Sequence, residues 1–407
     1  YFQKDNLNEV TKTFKQNSLK KNDKKKIKSN NVEGNNDRDL TINGDQKNSK
    51  DVDLKNKSSD NRKITSKNNK VPQIPKTAQL HWSFLSHPMK DRAFLPSYNN
   101  HPWAKRWVHD IAPLTYYPFS LWRIKKNLST EFINTTGEGM RYTPDIKRCP
   151  NRNIYIKKRK IHFFGGSTIF GDGFLRDIDL IPFKITCLAL DDHIKIISRN
   201  YGQSGYNLNN DFVTFNQEIS KREIPDIAVF YFGFNDIAHR VFQNQSHMQQ
   251  FLFNRIFIDP TKVKPHNFIL PDKNEISRRS NDVLKDITHK IKFTDSIAKE
   301  YNFKIFYIIQ PTMFTTSPNL DEIDNKLFNK VRKSFPSLVN SFEIGYRDLE
   351  QLTKKSFVKN LTNTHIFSVT KCFKNVKQRF VDIVHLSPEG NSYVSKCIYK
   401  LLKNDLN

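Results

Sequence analysis

From residue 151 onward, short apolar runs alternate with amphipathic stretches. The runs at 161–164, 195–199, 227–232 and 304–309 are brief and rich in Ile, Val, Phe and Tyr, which predicts strands. Between and after them, apolar residues recur at helical spacing near 178–190, 209–220, 281–300, 321–334 and 388–403. Such alternation predicts a parallel sheet with helices on both faces, whose functional loops leave the carboxyl ends of the strands. The last helix has a clear start, with Ser387 fitting an N-cap and Pro388 the first helical position. His385 is thereby expected in the loop before that helix. The segment 240–280, interrupted by Pro260, Pro265 and Pro271, reads as an insertion over the same sheet edge, a lid or a wall of a substrate cleft. The α/β pattern assigns 151–407 to one domain.

The first 150 residues lack this pattern. Residues 1–75 are dominated by Lys, Asn, Asp, Ser and Thr and end at the breaker Pro72-Gln-Ile-Pro75. They cannot bury enough apolar surface to offset the entropy of ordering, so they are predicted to be disordered. Residues 76–150 are different again, since all four tryptophans (Trp82, Trp103, Trp107, Trp122) fall there. Such a cluster either stacks on carbohydrate or packs an N-terminal segment onto the domain that follows. Packing is the commoner use and is the expectation.

Composition adds little to function. The formal charge is +26, of which residues 1–70 carry +8, and a basic chain attracts polyanions. Yet the lysines are dispersed among acids, with no recognition helix, zinc-finger spacing or aromatic RNA-binding motif, so no specific nucleic acid is expected. A codon bias toward Lys and Asn explains the charge as simply, and the tail's basicity leaves contact with an anionic membrane or polymer open. The four cysteines (Cys149, Cys187, Cys372, Cys397) have no metal-ligand spacing. Cys187 and Cys397 fall on apolar helix faces and read as buried free thiols, while a Cys372–Cys397 disulfide is allowed but not legible. No run approaches the ~18 apolar residues of a membrane span. The chain begins at Tyr1-Phe2-Gln3 without methionine and shows no signal peptide, so compartment, anchor and export stay open.

The chemistry lies in four loop segments. Phe163-Phe164-Gly165-Gly166-Ser167-Thr168 follows the first strand and offers a serine in a glycine turn. Gly202-Gln203-Ser204-Gly205 follows the second, and Gly233-Phe234-Asn235-Asp236 follows the third. Asp382-Ile383-Val384-His385 precedes the last helix. Serine-based hydrolysis needs a nucleophile, a base, an acid that orients the base and donors for the oxyanion. Ser167, His385 and Asp382 fit the first three roles. The backbone N–H of Ser167 and Gly205 and the side-chain amide of Asn235 fit the fourth. Two other patterns are decoys. Gly166 and Gly171 have phosphate-loop spacing, but Asp172-Gly173 stand where Lys-Ser/Thr is required. Asp236-Ile-Ala-His239 is a second Asp-x-x-His, less suited because Asp236 belongs to the third segment.

In this order the four segments resemble the SGNH (GDSL-like) hydrolases over about 160–403. Gly165-Gly166-Ser167 is similar to the family's Gly-Asp-Ser, with glycine in place of the aspartate. Asn200-Tyr-Gly-Gln-Ser-Gly205 is similar to the second block, whose oxyanion glycine falls on Gly205. Gly233-Phe-Asn235-Asp is similar to Gly-x-Asn-Asp, and Asp382-Ile-Val-His385 to Asp-x-x-His. Residues 117–143 also look like the region preceding the domain in a bacterial subgroup. The resemblance implies a flavodoxin-like three-layer α/β/α sandwich and a metal-free, cofactor-free hydrolysis or transfer of an ester acyl group. The expected substrate is a short-chain ester, an O-acetyl group on a polysaccharide first among the candidates. An O-acyltransferase with the same residues, and a non-catalytic polyanion binder on this fold, are the alternatives.

Overall fold

The computed structural model describes residues 102–103, 114–150, 155, 157–173, 175–242, 271–316, 320, 322–334, 336–373 and 379–406. The predicted tail (1–75), Trp82, Trp107 and most of the 240–280 insertion lie outside them. The first strands among the described residues form a two-stranded antiparallel hairpin, β1 (Leu114–Tyr117) and β2 (Leu121–Ile124). The main sheet comprises β3 (Lys157–Gly165), β4 (Ile194–Asn200), β5 (Ile227–Phe232), β6 (Lys304–Ile309) and β7 (Thr364–Ser368). Its order is β4-β3-β5-β6-β7, and every pair is parallel. Among the described residues, the helices of more than ten residues are α1 (Ile181–Asp191), α2 (Leu208–Ser220), α3 (Lys273–Tyr301), α4 (Glu322–Ser334), α5 (Pro336–Leu352) and α6 (Pro388–Leu406).

The strand order reverses between β3 and β5, and this placement dictates the layers. The β3–β4 crossover runs one way along the sheet and the later crossovers run the other. Right-handed connections therefore put α1 on one face and α2, α3 and α5 on the opposite face. α6 packs against α1, and α5 packs against α3. This is the flavodoxin-like order, in which ligands bind outside the carboxyl ends of the strands at the point of reversal.

Burial explains which runs were easy to read. Every residue of β5 is buried, as a central parallel strand requires. Aromatic rings tie the strands together: Phe164 stacks on Phe230 at 5.0 Å, and Phe230 on Tyr307 at 4.7 Å, across neighbouring strands. Each such pair contributes about 0.5–1.5 kcal/mol beyond its burial. The strand predicted at 161–164 begins earlier, because Lys157–Lys160 pair with β4 while remaining partly exposed. The helix predicted from 281 begins at Lys273, where the Asp272 carboxylate caps the Glu275 N–H at 2.8 Å.

The free-thiol reading of Cys187 and Cys397 is corrected. Cys187 pairs with Cys149, and Cys397 with Cys372. The apolar helix faces that suggested buried thiols are where the fold presses a distant loop cysteine onto each helix. Among the described residues, no helix is long and apolar enough to cross a membrane.

Candidate active site

Ser167, Asn235 and the 201–206 loop all sit at the carboxyl edge of the sheet, beside the β3/β5 reversal. Ser167 opens a short helical turn, Ser167–Phe170, directly after β3, with Gly166 as its extended N-cap. Gly166 has no room for a side chain. An added Cβ would lie 2.5 Å from Asn235 Nδ2 and 2.8 Å from the Tyr206 carbonyl oxygen. Any side chain at 166 would have to displace one or both of these atoms.

His385 reaches Ser167 from the far end of the chain. Residues 379–387 fold into a tight loop: Ser387 N–H donates to Arg379 O at 2.9 Å and Val381 N–H to His385 O at 2.8 Å. Ser387 Oγ caps α6 by accepting from Gly390 N–H at 3.0 Å, which fixes the histidine just outside the helix. His385 Nε2 lies 2.7 Å from Ser167 Oγ, and His385 Nδ1 lies 2.7 Å from Asp382 Oδ2. The other carboxylate oxygen, Oδ1, accepts the backbone N–H groups of Val384 (2.9 Å) and His385 (2.7 Å). Asp382 and His385 are both buried. A carboxylate fixed in this way holds Nδ1 protonated and leaves Nε2 to take the serine proton. Gly173, in left-handed backbone at φ +97°, passes the imidazole so closely that a Cβ would meet His385 Cβ at 3.1 Å.

Asn235 follows β5 through Gly233, whose φ of +128° admits no other residue without strain. One N–H of its side-chain amide donates to the Tyr206 carbonyl at 2.7 Å. That bond aims the amide across the 201–206 loop and leaves its second N–H to donate elsewhere. Gly205 sits on that loop at φ +80°. Asp236 closes the short helical turn Phe234–Asp236 that carries Asn235. Its carboxylate accepts Leu208 N–H (3.1 Å) and Gly233 N–H (3.2 Å) and lies 3.7 Å from Arg240, so it ties the Asn235 turn to the start of α2. His239 is buried in the following π-helical turn, Ile237–Phe242. Burial, and then the Asp236 charge beside it, pushes the Asp211 carboxyl well above the usual carboxylate range. Among the described residues, no group of three or more His, Cys, Asp or Glu could hold a metal ion.

All five sequence-predicted residues therefore lie at one edge of the fold, and three of them form one continuous hydrogen-bonded chain. Sequence reasoning missed the supports. Asp172 Oδ2 accepts from Ser204 Oγ at 2.7 Å, while Asp172 N–H donates to Ser167 O at 2.9 Å, so one residue links the serine turn to the glycine loop. Asn200 does the same from β4, donating to Ile169 O at 2.8 Å and accepting from Gly202 N–H at 2.9 Å. Asp172-Gly173, the pair that spoiled the phosphate-loop spacing, was the available signal.

No protein-family model matches the chain, and no curated protein matches it in sequence. Solved structures do match. One described as a GDSL-like lipase, from Bacteroides ovatus, is 16% identical over 63% of this chain and 55% of its own, with a TM-score of 0.34. The chain thus spans about half the length of that protein. One described as a lipolytic protein of the G-D-S-L family, from Desulfitobacterium hafniense, is 11% identical over 60% of this chain and 99% of its own, with a TM-score of 0.33. A two-domain esterase active on acetylated mannans is 11% identical over 62% of this chain and 50% of its own, with a TM-score of 0.34. The functional reading rests on the site's own geometry rather than on these likenesses.

Proposed function

We propose that the chain is a serine esterase of the SGNH type, cleaving a short-chain acyl ester. The observation that carries this reading is the unbroken line Ser167 Oγ, His385 Nε2, His385 Nδ1, Asp382 Oδ2, with 2.7 Å at both hydrogen bonds. Ser167 Oγ attacks the ester carbonyl carbon as its proton passes to His385 Nε2. Asp382 holds the imidazole in the tautomer that can accept. The carbonyl oxygen becomes an oxyanion, received by the N–H groups of Ser167 and Gly205 and the Asn235 amide. The tetrahedral adduct then collapses: the carbon–oxygen bond to the alcohol breaks, and His385 gives its proton to the leaving oxygen. Water repeats the sequence on the acyl-serine, releasing the acid and restoring Ser167. Each oxyanion donor contributes about 10²–10³ in kcat.

A polar substrate is supported by a nearby cleft of about 410 Å³, lined by none of the five site residues, whose lining includes Trp103, Glu131, Asn134, Arg148 and Arg176. Arg176 lies over the Trp103 ring at 3.9 Å. Trp103 also packs against the cluster containing Phe170, from the serine turn, and Val381, from the histidine loop. An O-acetylated glycan fits such a rim better than a long alkyl chain. Two disulfides suit an oxidising compartment. The test is a series of p-nitrophenyl esters from C2 to C12, run with and without oligosaccharide acceptors. The proposal expects turnover highest at C2 and abolished in a folded Ser167→Ala variant. Preference for long chains overturns the glycan assignment, acceptor-dependent acyl transfer changes hydrolase to transferase, and full activity in Ser167→Ala overturns the esterase.

A further inference from the structure

The hairpin β1–β2 lies outside the segment that carries the four chemical blocks, yet its contacts converge on one of them. Trp122 is buried and donates its indole Nε1–H to the Ser204 carbonyl at 2.9 Å. That carbonyl belongs to the same planar peptide unit as the Gly205 N–H. In a trans peptide the C=O and N–H point in opposite directions, so fixing one direction fixes the other. A hydrogen bond accepted by the carbonyl also polarises the N–H across the unit and strengthens it as a donor.

The rest of the hairpin reinforces this one loop. The Tyr206 hydroxyl donates to Trp122 O at 2.5 Å and lies 2.8 Å from Ser120 Oγ. Ile124 N–H donates to Gln203 Oε1 at 2.8 Å, and Gln203 Nε2–H donates to Gly139 O at 2.9 Å. The Trp122 ring meets Tyr206 edge-on at 5.4 Å, and a Cβ on Gly205 would lie 3.5 Å from Trp122 Cζ2. Residues 203, 204 and 206 are thus each bonded to the upstream segment, and Gly205 is the residue they surround. A purely structural tether would attach anywhere on the surface of the domain. This one grips the peptide whose N–H the esterase reading assigns to the oxyanion.

We infer that Trp122 is a positioning residue for the reaction: its indole N–H orients the Gly205 N–H toward the oxyanion, and the upstream hairpin is thereby part of the catalytic apparatus. This rests on the esterase reading given above. It predicts a specific kinetic signature, because an oxyanion donor acts on the transition state and not on bound substrate.

The test is Trp122→Phe, which keeps an aromatic ring and removes the indole N–H. Rates are expressed per active site, counted by fluorophosphonate labelling, with p-nitrophenyl acetate as substrate. The expected result is a loss of about tenfold in kcat with KM unchanged, the value of one hydrogen bond of about 1.4 kcal/mol. Affinity for a boronic acid, whose adduct with Ser167 carries the tetrahedral negative charge, falls by the same factor. Unchanged kcat and boronate affinity, or a rise in KM alone, overturns the inference while leaving the esterase reading intact. Absence of labelling and turnover in the wild-type protein overturns the esterase reading, and the inference with it. Where Trp122→Phe gives no cooperative melt, benzothienylalanine introduced at position 122, with sulfur in place of the indole N–H and the bicyclic ring kept, carries the same test. It is expected to lower kcat alone, and a kcat equal to wild type counts against the inference.

Discussion

Gly166→Ala is the sharpest single perturbation of this site, because one methyl group meets two functional atoms. The new Cβ would lie 2.5 Å from Asn235 Nδ2 and 2.8 Å from the Tyr206 carbonyl oxygen. The carbonyl is part of a backbone held by the Tyr206 N–H bond to Gln203 O at 3.1 Å and by the buried Tyr206 hydroxyl. The Asn235 side chain is the freer partner, so the amide is expected to swing away and give up its 2.7 Å bond to Tyr206 O. The variant then loses the Asn235 oxyanion donor without losing the residue. Removing one such donor costs about 10²–10³ in kcat, or about 3–4 kcal/mol of transition-state stabilisation. Asn235→Ala should lose the same amount, and the double variant little more than either single. Independent effects would multiply to about 10⁴–10⁶, so a double-mutant cycle separates the cases. The assay is kcat on p-nitrophenyl acetate, with thermal melting to establish that each variant folds. Wild-type kcat in a folded Gly166→Ala protein, or multiplicative losses in the double variant, would refute the reasoning.

Other expectations follow from the same geometry. His385→Ala should abolish turnover while His239→Ala keeps most of it, checked by the same ester assay; the opposite pattern would show that the wrong Asp-x-x-His was chosen. Burial, aided by the Arg199 and Lys160 charges, holds the His162 imidazole down to about 3, against 6.5 for a free histidine. The unfolded chain therefore binds the proton first, so this contribution is complete above pH 6.5 and lost as pH falls toward 3, a span of about 5 kcal/mol. Denaturant melts of His162→Phe should show a flatter acid limb over that window than wild type. Cys372→Ser should cost about 3–4 kcal/mol by loosening a crosslink between residues 25 apart, seen as a lower midpoint that reducing agent does not depress as far as in wild type.

The parts of the fold that were legible are those whose signal is local. β5 reads as a strand because all six residues are buried and apolar, and α6 because Ser387 and Pro388 punctuate its start. The four chemical segments were legible for the same reason, since each is a short run at the end of one element. β7 was not, because Thr364–Ser368 is five residues long with only alternate positions well covered. α5 was missed although Pro336 stands at its first position and Leu338, Val339, Phe342 and Leu349 mark one face. The cysteine pairs depend on contacts across 38 and 25 residues that no periodicity encodes. The Trp122 bond to Ser204 spans 82 residues, so no local pattern disclosed which loop of the following domain this tryptophan would meet. The tail and insertion boundaries at 1–75 and 240–280 remain expectations from composition.

The central claim is that Ser167 is the nucleophile, and covalent capture tests it most directly. The protein is treated with a fluorophosphonate, digested and analysed by mass spectrometry, beside Ser167→Ala and His385→Ala. The account predicts one adduct per chain, located on the peptide carrying Gly165-Gly166-Ser167. It predicts none in Ser167→Ala, and labelling slowed by orders of magnitude in His385→Ala, because Oγ then lacks the imidazole now 2.7 Å away. An adduct on another residue, or equal labelling of all three proteins, would contradict it.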